Sequence, residues 1–362
     1  MKKRVLTASA VVCTLSVLSM ICLGQMICTL FYGCHQKKDS PAPVILVSDY
    51  QDNKMDINEM VDSVEYLPLI SDAPMGQILD FCMMDSLVFI LDDMQRIHVC
   101  SLRTGQVLRS MNNRGHGNAE YIDARAVCAH DGKLFVLDFQ GMSVLIYDHH
   151  LDFIDRFKTG FPAWDFAVTD RGLLFFNMNA TASLGRIVCT DFSGQVLDSW
   201  TDSDTEMNMM LSNRIFQEDG SGGVYYMEPL SERIYCWKDG KSSLFCTVDL
   251  GRNSIKSADT EMKYERQQVS HVRSLISQYH VLTSFIENGF VYYNVYNRAT
   301  FSSQAGLVST HAALPFFPSE CRNGDLYGIY DIPWGSEMKL DMDGQFGEGR
   351  AEKILVKYVM RH

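Results

Sequence analysis

The densest set of groups able to act on a ligand is the stretch NNRGHGNAEY, Asn112 to Tyr121. There Arg114, His116 and Glu120 crowd around Gly115 and Gly117. A guanidinium, an imidazole and a carboxylate on a backbone freed by glycine could grip a polar ligand, or the glycines could serve only to turn the chain. Trp164 and Trp334 each follow closely on a proline and offer ring faces on which a sugar or peptide could stack, with packing at a junction as the plainer use. The candidate ligand-binding residues are therefore Arg114, His116, Glu120 and Trp164.

Other chemistry is poorly represented. There is no H-E-x-x-H and no G-x-S-x-G, and the GKS at Gly240 to Ser242 lacks the upstream glycine of a phosphate loop because position 235 is Tyr. The segment DMDGQFGEGRAE, Asp341 to Glu352, has carboxylates at the first, third and twelfth places of a calcium loop, but Phe346 stands where the sharp turn needs glycine. His149 and His150 are adjacent, and adjacent side chains on a strand point to opposite faces, so they do not chelate together. Asp92 and Asp138 close equivalent apolar runs, which favours turn capping over catalysis. No catalytic residue, metal ligand or cofactor is assigned.

The elements that must position these groups form a repeat. DSLVFILDDMQRIHVCSLRTGQVLRS, Asp85 to Ser110, aligns with DGKLFVLDFQGMSVLIYDHHLDFIDR, Asp131 to Arg156. Weaker copies follow, and GQVLRS in the first copy returns as GQVLDS in the third. Taking Val88, Leu134, Leu173, Val224, Phe290 and Leu326 as equivalent gives steps of 46, 39, 51, 66 and 36 residues. That spacing suits six propeller blades of four short antiparallel strands, linked by Asp-Gly and Asn-Gly turns. The long step contains SADTEMKYERQQVSHVRSLISQYH, whose Met262, Val269, Val272 and Ile276 recur at helical intervals after a cap at Asp259, so the spacing predicts a helical insertion at about 259–279, between blades 4 and 5. DSVEYLPLI, Asp62 to Ile70, and EKILVKYVM, Glu352 to Met360, are expected to share the sheet that closes the ring. The fold class is thus an all-β, six-bladed β-propeller closed by strands from both ends of the chain.

The chain has 362 residues, 46% hydrophobic and 21% charged, with a formal net charge of −12. This acidity argues against nucleic acid as a partner. Lys2, Lys3 and Arg4 precede a nearly uncharged apolar run to Gly33 and Cys34, the layout of an export signal. The domain reading is 1–33 as signal peptide, 34–60 as linker and 61–362 as propeller. The run resembles a bacterial lipoprotein signal, which implies lipid on Cys34, although Phe31 stands where leucine is usual. An uncleaved anchor and simple secretion stay open. Beyond Cys34 seven cysteines remain, an odd number without zinc-type spacing, so they read mainly as small buried apolar residues, with one or two disulfides open.

From Val61 onward the sequence resembles the six-bladed, NHL-like propeller lipoproteins of Gram-negative gut anaerobes. The resemblance rests on VEYLPL at Val64 to Leu69, on NNRGHGNAEY in place of a G-R-x-G-x-G-P-G-E-Y segment, and on DGKLFVLDFQGMSVLIYD. The segment departs from that pattern at Asn112, Asn113, Asn118 and Ala119. The family implies an outer-membrane lipoprotein, periplasmic or surface-facing, with no agreed chemistry. The leading expectation is a non-catalytic module that binds or scaffolds a glycan, peptide or protein at the cell envelope. The alternatives are a metal-dependent lactonase- or lyase-like enzyme and a structural partner in an envelope complex.

Overall fold

Strand boundaries are set by a recurrent turn. Asp131-Gly132, Asp239-Gly240, Asn288-Gly289 and Asn323-Gly324 all place both residues at positive φ, between 47° and 91°. That is the backbone of the two-residue hairpin whose twist matches that of the strands it joins, and Asp, Asn and Gly adopt it most readily. The structure, a computed structural model, describes residues 42–202, 214–218, 223–229, 231–251, 269–309, 316–332 and 350–361. No helix among them is long and apolar enough to cross a membrane.

The described chain opens with β1 (Val44–Leu46), β2 (Lys54–Asp56), a short helix α1 (Ile57–Met60) and β3 (Val61–Ser71). Blade 1 is β4 (Ile78–Met84), β5 (Leu87–Asp92), β6 (Ile97–Ser101) and β7 (Val107–Met111). Blade 2 is β8 (Ala124–His130), β9 (Lys133–Asp138), β10 (Ser143–Asp148) and β11 (Phe153–Lys158). Blade 3 is β12 (Ala163–Thr169), β13 (Gly172–Asn177), β14 (Ile187–Thr190) and β15 (Val196–Trp200). Blade 4 is β16 (Phe216–Glu218), β17 (Val224–Tyr226), β18 (Arg233–Lys238) and β19 (Lys241–Asp249). Blade 5 is β20 (Ser270–Ile276), β21 (His280–Glu287), β22 (Phe290–Asn297) and β23 (Ser302–Ser309). Blade 6 takes β24 (Glu320–Arg322), β25 (Asp325–Asp331) and β26 (Arg350–Met360), with β3 as its outermost strand.

The ring closes as expected, with β3 antiparallel to β26 from Ser71 opposite Arg350 to Val61 opposite Met360. Pro68 sits inside β3, where its missing N–H costs nothing because the strand is the free edge of its sheet. The core is divided into slabs between neighbouring blades. Phe89 and Leu91 of blade 1 pack against Val127 and Leu134 of blade 2, while Val88 and Ile90 face Leu69 and Leu355 of blade 6.

Three expectations are corrected. The helical insertion is not formed where it is described: Val272 and Ile276 lie in β20, whose Leu275 pairs with Leu282 across an antiparallel ladder, while Asp259 and Met262 lie outside the described residues. In a short apolar run, threefold and twofold spacing overlap, and an available sheet edge decides for the strand. Phe290 opens the third strand of its blade, whereas its five supposed equivalents lie on second strands, so part of the long step is a slip of one strand. The second strand of blade 5 is β21. Finally, the stretch read as a linker contributes to sheets from Val44 onward. β1 adds to blade 4 parallel to β19, and β2 adds to blade 5 parallel to β23.

Gly105 tests how tightly blades 1 and 6 meet. Its φ is +71° and a Cβ would lie 1.9 Å from the Pro68 carbonyl oxygen of the closing strand, whereas Gly132, at φ +72°, has nothing within 4 Å. Gly132→Ala should cost only the left-handed penalty, about 1 kcal/mol, and Gly105→Ala should cost more than about 2 kcal/mol in urea unfolding. Equal losses would mean that the blade junction yields freely.

Candidate functional site

The same bulge recurs in three successive inner strands, where Leu79, Arg125 and Trp164 are extra residues opposite the ends of β5, β9 and β13. A bulge re-aims the side chains beside it. The next residue is Asp80 in blade 1 and Asp165 in blade 3, and each reaches the following blade. Asp80 accepts a hydrogen bond from the Val127 amide at 2.9 Å, and Asp165 accepts from the Ile215 and Phe216 amides at 2.5 and 3.0 Å. Gln217 continues the pattern by exchanging two hydrogen bonds with the Ile276 backbone.

Arg214, just ahead of β16 in blade 4, spans the centre of the ring. It pairs with Asp80 of blade 1 at 2.9 Å and with Glu320 of blade 6, and donates to the Phe81 carbonyl at 3.0 Å. All three charged side chains are under a fifth exposed. Burial works against its charge, but Asp80 and Asp165 outweigh that and raise its pKa. Arg273 of blade 5 lacks such carboxylate partners among the described residues. It donates to the Ser319 carbonyl, and desolvation brings its pKa down to about 10.

Arg214 also forms one wall of a cavity of about 170 Å³ bounded by the inner strands of blades 1, 2, 3, 4 and 6. Phe166, Phe216 and Met83 supply apolar wall, while Glu218, Arg322 and Asn323 supply polar groups. Cys82 and Cys128 face it as thiols that burial and nearby carboxylates hold well above the ordinary cysteine pKa, and the Cys128 Sγ donates to Glu218 at 3.4 Å. Burial likewise raises the Glu218 carboxyl. Glu218 borders a second cavity of about 440 Å³, which runs past His130, Asp170 and Trp237 between blades 3 and 4.

The sequence candidates are placed elsewhere. NNRGHGNAEY joins β7 to β8 on the opposite face of the ring from His130, and it is held by bonds within itself and to its neighbours. Glu120 accepts from the Gly117 amide at 2.8 Å, Arg114 donates to the Ile122 carbonyl at 3.3 Å, and the fully buried Tyr121 donates its hydroxyl to the Gln95 carbonyl at 2.7 Å. Arg156 fastens the loop from below through the Gly117 and Glu120 carbonyls. Arg114 and His116 are exposed and Glu120 is half-buried. Trp164 is half-buried with the Arg125 guanidinium 3.7 Å from its ring centre and Phe139 at its edge, so one ring face is already covered. None of the four lines either cavity. Cys34, Trp334 and most of the acidic segment Asp341 to Glu352 lie outside the described residues.

Asp92 and Asp138 behave as caps. Asp92, fully buried, accepts from the Gly76 and Arg96 amides, the Arg96 side chain and His98. Asp138 accepts from the Asp123 and Gly141 amides and from Arg156. Among the described residues no three His, Cys, Asp or Glu side chains converge as metal ligands, and none of the seven described cysteines is joined in a disulfide. Sequence reading missed Asp80, Asp165, Arg214, Glu218 and Arg322. The signal available for two of them was the Asp-Phe pair that recurs at Asp80-Phe81 and Asp165-Phe166.

Two outcomes follow for stability. Arg214→Met leaves Asp80 and Glu320 without their cation and should cost about 3–5 kcal/mol in urea at neutral pH. A loss under about 1 kcal/mol would show that the pairs contribute little. Burial, aided by Asp80, raises the Asp165 carboxyl from 3.8 to about 6, against the pull of Arg214 and the two amides. A carboxyl that holds its proton more tightly when folded makes stability fall as pH rises from about 4 to about 6, and then level off. Stability of Asp165→Asn relative to the parent should therefore improve by on the order of 1–3 kcal/mol between pH 4 and 7. A difference independent of pH would contradict the assignment.

The family model described as "Domain of unknown function (DUF4934)" matches residues 43–332. Among solved structures, a Bacteroides fragilis NCTC 9343 protein described as exported gives a TM-score of 0.71 at 13% identity, covering 88% of this chain and 100% of that one. A DUF4221 family member from Bacteroides vulgatus gives 0.48 at 8% identity, over 83% of this chain and 97% of that one. At such identities a likeness speaks for fold alone, and the first supports the propeller. No protein of curated function matches the chain. With its match running from the first described strands through β25, the chain belongs to the DUF4934 family.

Proposed function

We propose that the chain is an exported propeller, tethered by lipid on Cys34, that works as a non-catalytic binding module at the cell envelope. The observation that carries this reading is the central cavity, most of whose charged or nucleophilic wall groups are already engaged or held neutral. Glu320 is neutralised by Arg214, and Glu218 accepts from the Cys128 thiol. Cys82 and Cys128 are held as thiols, which are poor nucleophiles. Such a wall offers shape, apolar surface and hydrogen bonds without an activated group, the usual make-up of a binding pocket. Export is supported by the description of the Bacteroides fragilis protein of like fold and by the charged, then apolar, leader. The reading as a structural partner depended on an exposed helical insertion and loses that support.

The test has two arms. Cells expressing the full-length protein, fed an alkyne-tagged palmitate, should label the parent protein and leave Cys34→Ala unlabelled. Equal labelling would remove the anchor. Purified protein should then bind at least one glycan, peptide or small metabolite in a thermal-shift screen while hydrolysing none, with or without added calcium. Calcium-dependent turnover of a lactone would overturn the non-catalytic reading in favour of a lactonase-like enzyme.

A further inference from the structure

The two arginines on the wall of the 170 Å³ cavity differ in what they already hold. Arg214 is engaged by Asp80 and Glu320. Arg322, half-buried in β24, has no ion pair or side-chain hydrogen bond among the described residues. A partly desolvated guanidinium is ordinarily paired, and a chain with 44 acidic and 32 basic residues has carboxylates in excess to pair it. The nearest acid in sequence, Glu320, is taken by Arg214. Glu218, on the blade 4 side, is a carboxyl that burial biases towards its proton and that accepts from Cys128. Apart from the thiols, Gln217, which is already bonded to the Ile276 backbone, and Asn323, the remaining surface is apolar, chiefly Phe166, Phe216 and Val127. The cavity therefore presents one uncommitted cation, one hydrogen-bonding carboxyl and an apolar wall.

We infer that this cavity binds a small molecule bearing a single carboxylate, with Arg322 as the anchoring cation and the apolar body of the ligand against Phe166 and Phe216. The inference rests on the binding-module reading and names its ligand class. A guanidinium meets a carboxylate through two parallel N–H donors, the strongest neutralisation available to it. A phosphate dianion fits less well, because a second uncommitted cation is missing from the wall and Glu218 and Glu320 stand close by. The volume suits a molecule the size of a hydroxy acid, an N-acylated amino acid or benzoate.

The experiment is calorimetric titration of the full-length protein with lactate, N-acetylalanine and benzoate. Lactamide and benzamide serve as uncharged counterparts, and inorganic phosphate as the competing anion. At least one carboxylate should bind, its amide at least about tenfold more weakly and phosphate more weakly still. Arg322→Ala should weaken that carboxylate at least about tenfold, as expected for a lost charge-assisted pair, and Arg322→Lys should recover part of the affinity. Arg109→Ala, which removes an exposed pair with Asp152, should leave binding unchanged. Should Arg322→Ala not fold, Arg322→Gln takes its place, and the carboxylate-to-amide ratio in the parent protein decides independently. Absence of carboxylate binding, equal binding of acid and amide, or undiminished binding to the Arg322 variants overturns the inference. If a neutral glycan or peptide binds and the carboxylates do not, this inference fails while the binding-module reading stands.

Discussion

Hydrogen bonding between β3 and β26 is the interaction on which the other sheets depend. It joins segments from opposite ends of the chain over a ladder from Val61 opposite Met360 to Ser71 opposite Arg350. Each slab of core needs two blades to cover it. Without this ladder, Val88 and Ile90 would face water where Leu69 and Leu355 now stand, and the ring would have two open ends. The contact carries a large loop-closure cost because nearly the whole propeller lies between its partners. Arg214 has a comparable role at the centre, where it draws blades 1, 4 and 6 onto one cation.

A second frame lies in the buried acids and amides at the ends of the second strands. Asp92 and Asp138 collect amide and arginine donors. Asn177 donates to the Asn179 and Gly185 carbonyls and accepts from the Asn179 amide, and Glu228 takes the Asp202 amide and Arg186. These groups fix loops on the face that also carries NNRGHGNAEY. The contacts of Glu120 and Tyr121 make that stretch part of the frame, and of its ionisable residues Arg114 and His116 are the exposed ones.

Architecture was more legible in the sequence than chemistry, for a physical reason. The blade repeat is written in turn pairs such as Asp131-Gly132 and in apolar runs such as LVFILD, which local sterics and burial impose on every copy. The closing strands were legible as two strand-like runs left without partners. Helical spacing at Val272 and Ile276 misled because residues four apart also share one face of a strand. The residues at the centre of the ring were not legible because Asp80, Arg214, Glu218 and Arg322 meet only once the ring is closed, and none belongs to a local pattern that marks it as a neighbour of the others.

The outer strands β1 and β2 give the molecule a belt, parallel to the last strands of blades 4 and 5 and leading directly into β3. A pull on the chain ahead of Pro43 would be carried in series, first by the three paired residues of β1, then by the three of β2, and only afterwards by the long closing ladder. The belt thus acts as a mechanical fuse. Weak links yield in turn, each releasing slack, before tension reaches the seam that holds the ring shut.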